Sequence, residues 1–314
     1  MMKRGTTLAA LAALALLGLS GIAQAQEKIR IGILPFSESL GAIIADKQGY
    51  FKAEGLDVEM TSFVSGALSL PLLQSGRLDI AFSNTVSTLQ ALEQGLDGII
   101  LAPGAVVGTK APDSTTALLV LKGTAKTPKD LEGKRVAVNV INSIAWMYMV
   151  AMFDKHGVPR NGVRYVEIPF PQMNDPLLNK QVDAIGQVEP FRTILMGTGK
   201  VDAIAYTFVE SQPNGDITQY VSLSSWAKKN PATAARFARA IVKGAQFANA
   251  NEAATREINM QFTKLNPALK DKVQLPHFGN SVSLAEIRKT MDLMLKYGMM
   301  KKPVDLSGRV LSLQ

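Results

Sequence analysis

Near its start the chain repeats one local pattern three times: a short apolar run, a cluster of small polar residues, then a helical periodicity. Residues 29–34 lead into Pro35, Phe36, Ser37, Glu38 and Ser39; residues 56–60 lead into 61–66; residues 78–82 lead into Ser83, Asn84 and Thr85. Short apolar runs bounded by turn formers read as strands, and Ser, Thr or Asn just ahead of a periodic segment reads as a helix cap. Strands alternating with helices define an α/β chain with a largely parallel sheet. The three polar loops then share one carboxyl edge, where open α/β sheets bind ligands. That edge offers hydroxyls, an amide and helix-start N–H groups, with no His, no Cys and no phosphate-type Gly-rich loop. Such a set suits holding a small polar molecule rather than transforming one.

The alternation continues. Strands are expected over 98–103, 115–121, 136–140, 163–168, 182–185 and 201–205, and Asn142-Ser143 caps a long helix ending at Lys155. A second set of edge loops follows, with Phe170, Gln172 and Met173 in one and Gln187, Glu189 and Pro190 in another. The last third differs: after a strand over 217–223 it reads as helices over 225–229, 231–249, 253–265 and 283–297. No free linker separates the two predicted sheets, so two lobes joined by crossing segments are expected, at 110–118 and 205–213. This divides the chain into a leader over 1–25, a first lobe over 26–110, a second over 111–212, and a mostly helical remainder of the first over 213–314.

The leader is predicted from Lys3 and Arg4, an apolar run over 8–19, and a small-x-small ending at Ala23, Gln24 and Ala25. That is the three-part form of a secretory signal peptide, and its apolar run is short for a membrane span. Cleavage after Ala25 leaves 289 of the 314 residues, and the formal charge of +8 becomes +6 with Lys3 and Arg4 gone. The expected product is exported. Basic residues are scattered without interleaved aromatics, so no nucleic-acid surface is expected. With no Cys, disulfides, thiolate metal sites and a lipid-anchoring cysteine are excluded.

At this point the residues resemble a known family. Gly49-Tyr50-Phe51-Lys52-Ala53-Glu54-Gly55-Leu56-Asp57-Val58-Glu59 is similar to an opening motif of the periplasmic solute-binding proteins of ABC importers, in the branch serving sulfonates, taurine, nitrate and thiamine-pyrimidine precursors. Ser75-Gly76-Arg77-Leu78-Asp79-Ile80-Ala81, Asp130-Leu131-Glu132-Gly133-Lys134-Arg135-Val136, Val182-Asp183-Ala184 with Glu189-Pro190-Phe191, and Lys302-Pro303-Val304-Asp305-Leu306 resemble later motifs, in the family's order. The resemblance implies a two-lobed, type II periplasmic binding protein fold, each lobe a βα sheet flanked by helices, with two hinge crossings. It implies a monomer that carries no cofactor and delivers a small-molecule solute to ABC permease transmembrane subunits. The signature glycines and Tyr50-Phe51 read as turn formers and packing residues, marking fold more than ligand.

Ligand-binding candidates in the first lobe are Phe36, Ser37, Glu38, Ser39, Ser65, Gly66, Ser83, Asn84 and Thr85. In the second they are Asn142, Ser143, Trp146, Gln172, Met173, Gln187 and Glu189. Each Ser, Thr and Asn has an equal reading as a plain helix cap, although a cap also presents its helix N-terminus to an anion. Trp146 reads as a cleft wall or a core residue. Glu189 reads as a helix cap or as the acceptor of a ligand N–H, such as an amine or aminopyrimidine. Apolar Phe36, Phe170 and Met173 favour an organic body over nitrate. With Arg192 alone near the loops, a bidentate arginine clamp is not expected.

The rival class is an enzyme of pyrimidine-precursor or related biosynthesis on the same fold. The yeast-type pyrimidine synthase resembles this branch but relies on a Cys-rich motif and a His. Here Cys is absent, and His156 and His277 fall outside the edge loops. No catalytic set or metal-ligand spacing emerges.

Overall fold

The computed structural model describes residues 26–312; the predicted leader lies outside them. The opening segment forms β1 (Glu27–Ile33), α1 (Leu40–Lys47), α2 (Tyr50–Ala53), β2 (Leu56–Ser62), α3 (Gly66–Gln74), β3 (Ile80–Asn84), α4 (Thr85–Glu93), β4 (Gly98–Pro103) and the short β5 (Ala105–Val106). The middle forms β6 (Ala117–Leu121), β7 (Arg135–Val138), α5 (Ile144–Lys155), β8 (Arg164–Glu167), α6 (Asn174–Leu178), β9 (Ala184–Gln187), α7 (Phe191–Met196), β10 (Val201–Tyr206) and α8 (Thr207–Ser211). The last third adds β11 (Thr218–Leu223), α9 (Ser224–Lys229), α10 (Pro231–Ala250), α11 (Glu252–Thr263), β12 (His277–Phe278) and α12 (Leu284–Lys296).

These strands make two five-stranded sheets, ordered β2-β1-β3-β11-β4 and β10-β6-β9-β7-β8, with β12 and β5 paired separately. β1 runs parallel to β2 and β3, so the three opening loops do share one edge. The expectation of parallel strands is corrected at two places. β11 runs antiparallel to β3 and β4, and β6 antiparallel to β9 and β10. Each of these strands follows a passage between the sheets and enters its sheet from the binding edge, so its direction is reversed. The chain leaves the first sheet layer after Val106 and joins the second at Ala117; it returns between Tyr206 and Thr218. The return passage contains a short helix, α8, which the sequence reading did not contain.

The first lobe's core is aromatic. Phe51 stacks on Phe237 at 5.7 Å, Tyr220 meets Phe237 edge-on at 5.5 Å, and Phe82 lies 4.8 Å from Tyr220. Long α10 thereby locks the outer face of the first sheet. The second lobe is organised around α5, whose residues from Ile144 to Phe153 are all buried. A helix apolar on every side must be covered on every side. Part of that cover is α12: Asp154 of α5 accepts from Lys296 Nζ at 2.7 Å and from Tyr297 Oη at 3.0 Å. Near the return passage, Gln212 Oε1 accepts from Tyr148 Oη at 2.9 Å and Thr290 Oγ1 at 3.1 Å, and Gln212 Nε2 donates to the Glu286 carbonyl at 2.9 Å. Because α12 also packs on α4, it rests on both lobes rather than on the first alone.

No helix among the described residues is long and apolar enough to cross a membrane.

Candidate functional site

The two binding edges face each other across a shared cavity. The first lobe contributes its opening loops. Ser65 caps α3, its Oγ accepting from the Ala67 N–H at 3.3 Å, and Asn84 caps α4, its Oδ1 accepting from the Ser87 N–H at 2.9 Å. Both caps line the cavity, as does Gly66. A Cβ on Gly66 would stand 2.7 Å from the Ser83 Cα, so only glycine lets α3 start this close to β3. From the second lobe, α5 starts at the cavity wall with Ile144 and Ala145, capped behind by Ser143, whose Oγ accepts from the Trp146 N–H at 3.3 Å. Three helix starts thus converge, each a source of partial positive charge.

The walls are mainly apolar. Phe36 of the first lobe reaches across to the second, edge-on to Phe170 at 5.9 Å and to Phe191 at 6.1 Å. Leu34, Val188, Phe208 and Ile217 extend this surface. The Thr116 Oγ1 in the first crossing is buried without a partner, as is the Ser83 Oγ beneath Gly66. Glu38 lines the cavity with one carboxylate oxygen, Oε2, buried and unpartnered. Burial pushes its pKa up to about 7; its own backbone N–H and Arg192 pull the other way, and Glu189 adds to the rise.

Of the residues predicted from sequence, Phe36, Glu38, Ser65, Gly66 and Asn84 line the cavity. Others are turned elsewhere. Ser37 Oγ donates to Asn259 of α11 at 2.8 Å, Ser39 Oγ accepts from the Leu34 N–H at 3.0 Å, and Thr85 Oγ1 donates to the Asp216 carbonyl at 2.5 Å. These three hydroxyls fasten the loops that carry the lining residues. Gln187 uses its whole amide within its own lobe, on the Phe170 carbonyl, Asn174 and the Val188 N–H. Met173 is buried in the core, Gln172 is exposed, and Asn142 faces solvent while its carbonyl accepts from Gln90 of the first lobe at 3.3 Å. Ser143 stays behind the wall as a cap.

The cleft-wall reading of Trp146 is corrected: the ring is buried against Tyr165 at 5.7 Å, with the Arg160 guanidinium 5.0 Å from its centroid. The ligand-acceptor reading of Glu189 is corrected as well. Its Oε1 accepts from Arg192 Nε at 2.9 Å and lies 2.7 Å from Nη2, and its Oε2 accepts from the Thr193 N–H at 3.2 Å. Both side chains are 2% exposed, so the carboxylate is consumed by an internal ion pair and the start of α7. Arg192 Nη1 also donates to the Thr115 carbonyl at 2.9 Å.

Sequence reasoning missed Thr115, Thr116, Ile217 and Thr218, which line the cavity from the two crossings, and Asn139 at the end of β7. The crossings were visible in the sequence, but nothing local marks their residues as cavity walls. His156 pairs with Glu210 at 3.1 Å at the far end of α5, away from the cavity. No group of three or more His, Cys, Asp or Glu residues among those described could hold a metal ion.

Two βα lobes facing each other over a cleft, joined by two crossings, constitute the periplasmic binding protein fold. Solved structures agree. The alkanesulfonate-binding protein SsuA from Xanthomonas axonopodis superposes with a TM-score of 0.75 at 18% identity, over 90% of this chain and 98% of that one. The periplasmic nitrate-binding protein NrtA from Synechocystis gives 0.69 at 15%, over 87% of this chain and 82% of that one. In sequence, the chain is 25% identical over 277 residues, 84% of each protein, to a Haemophilus influenzae protein named provisionally for thiamine biosynthesis. The family model described as "NMT1/THI5 like" matches residues 37–254, and the chain belongs to that family.

Proposed function

We propose that this protein is the periplasmic substrate-binding component of an ABC importer, capturing a small polar organic solute between its lobes and delivering it to a membrane permease. The observation that carries the reading is the cleft itself: capped helix starts from both lobes converge on a cavity whose walls are otherwise apolar. Polar groups at a few fixed points within an apolar pocket are the pattern of small-molecule sites. The sulfonate- and nitrate-binding neighbours support a role in solute capture. The apolar walls favour an organic solute over nitrate.

Export follows from this role, and so does lobe closure on binding, since a solute held from both sides stabilises the closed arrangement over the open one. The test pairs a thermal-shift screen of small organic solutes with small-angle scattering. A solute at a hundredfold excess over its Kd adds about 2.7 kcal/mol of stability. The reading requires that a stabilising solute also reduces the radius of gyration; stabilisation at constant radius counts against capture by closure.

A further inference from the structure

Within that solute-capture reading, one charged side chain in the cleft is left over. Glu38 is the carboxylate that lines the cavity, and its Oε2 is shut off from water without accepting any hydrogen bond. A carboxylate is an acceptor on both oxygens, and leaving one bare in a low-dielectric space is costly.

The charged groups facing it do not supply the missing partner. They are Glu189 and Arg192, both from the second lobe. Arg192 directs Nε and Nη2 to Glu189 and Nη1 to the Thr115 carbonyl, all inside its own lobe, and makes no hydrogen bond to the Glu38 Oε2. Glu189 has its own cation and adds repulsion. The pair is close to neutral overall, which leaves Glu38 as the uncompensated acid of the site.

We propose that Glu38 anchors the solute, and that this solute carries an N–H donor group, an amine or amidine on an organic body, which completes the bare Oε2 when the lobes close. A bare sulfonate or carboxylate placed against Glu38 would set two anions together in an apolar enclosure. The body of the solute lies along Phe36, Phe170 and Phe208, which line the same cavity.

The proposal also links binding to a proton. The Glu38 carboxyl titrates at about 7 in the ligand-free cleft. A cationic N–H group favours its ionised form, so binding releases a proton, and affinity falls about tenfold for each pH unit below that value.

Four probes of similar ring size separate the alternatives: benzamidine and benzylamine carry the donor, benzenesulfonate and benzoate the anion. Melting temperature and calorimetric titration are measured on purified wild-type protein and on Glu38→Gln and Glu38→Ala. The expected result is stabilisation of wild type by at least one N–H probe and by neither anion. The binding heat should depend on the buffer's own ionisation heat, and Glu38→Gln should lose tenfold or more in affinity. Glu38→Gln keeps shape and removes a strained charge, so its folding is not at risk. The proposal is overturned if neither N–H probe stabilises wild type, if the anions bind in their place, or if Glu38→Gln binds the N–H probes undiminished. Should an anion bind and shrink the radius of gyration, solute capture stands and only the assignment of Glu38 fails. Should no probe alter either observable, the capture reading loses support too.

Discussion

Phe36 and Phe170 meet edge-to-face across the cleft, ring centroids 5.9 Å apart and planes at 87°, although they belong to opposite lobes. Phe36 makes a second such contact with Phe191, at 6.1 Å and 78°. Aromatic pairs in this geometry are worth about 0.5–1.5 kcal/mol each beyond the area they bury. They exist only while the lobes are closed, so they bias the closed state without belonging to either lobe's own core. Replacing Phe36 with Ala should therefore enlarge the ligand-free radius of gyration and weaken solute binding by about 1–3 kcal/mol. A mutant with unchanged radius and affinity would show that the contact has no part in closure.

Ser83 and Asn84 are neighbours with separable roles. The Asn84 side chain caps α4 through Ser87, so Asn84→Ala should cost roughly 0.5–2 kcal/mol of stability. The Ser83 hydroxyl has no partner, so Ser83→Ala should leave stability close to that of wild type. If Ser83 bonds the solute, the same change should cost about 1–3 kcal/mol of binding. Urea denaturation and titration of each single mutant separate the two effects, and equal stability losses would contradict the assignment.

Glu189→Gln should damage folding rather than binding. It strips the buried Arg192 of its counter-charge, and breaking a buried ion pair from one side costs about 3–5 kcal/mol. Affinity for a captured solute, measured below the lowered melting temperature, should change little. A mutant with wild-type stability and lost affinity would return Glu189 to the binding surface.

The ligand-free protein should lose stability as pH rises from about 4.5 to about 7, through Glu38. A carboxyl whose pKa is raised by folding binds its proton more tightly in the native than in the unfolded chain. Its protonation therefore favours the fold at acidic pH, and this contribution is gone above the native pKa. For a half-buried side chain the effect is on the order of 1–3 kcal/mol. Asp216, pushed up to about 6 by burial, acts in the same direction over the lower part of the range. Denaturation curves of wild type and Glu38→Gln on both sides of the window check this; the mutant should show the shallower slope, retaining the Asp216 share.

Gly66→Ala tests the closeness of α3 to β3. The added methyl meets the Ser83 backbone, which cannot step aside as a flexible side chain does. Overpacking of this kind costs about 1–3 kcal/mol, and the melting temperature should fall even without solute.

The fold was legible because its signals are local. Caps at Ser65, Asn84 and Ser143 can be read from neighbouring residues, and a strand-loop-helix repeat implies its own sheet edge. What sequence could not supply is where a polar side chain spends its hydrogen bonds. Ser37 turns to Asn259, 222 residues away, and Thr85 to Asp216, 131 residues away. Glu189 and Glu38 look alike as loop acids, and the difference between them is one arginine, three residues after Glu189, that folds back onto it. Apolar wall residues such as Val188 and Phe208 are indistinguishable in sequence from core residues, because the cleft is walled with the same side chains as the interior. The strand directions of β6 and β11 depend on which way the chain enters each sheet, and no residue type encodes that.

Helix α12, resting on both lobes, determines from which side the molecule can yawn. Asp154, which it grips, stands nine residues along α5 from the cleft-lining Ala145, about 14 Å away at 1.5 Å per residue. Its other grip, on Gln212, sits in the return passage itself. A seam stitched on the passage side turns any separation of the lobes into a pivot, with the widest travel at the lip where Phe36 leaves Phe170. Loosening those stitches, as in Asp154→Ala, would let the halves slide as well as swing, and would trade a directed gape for an undirected one.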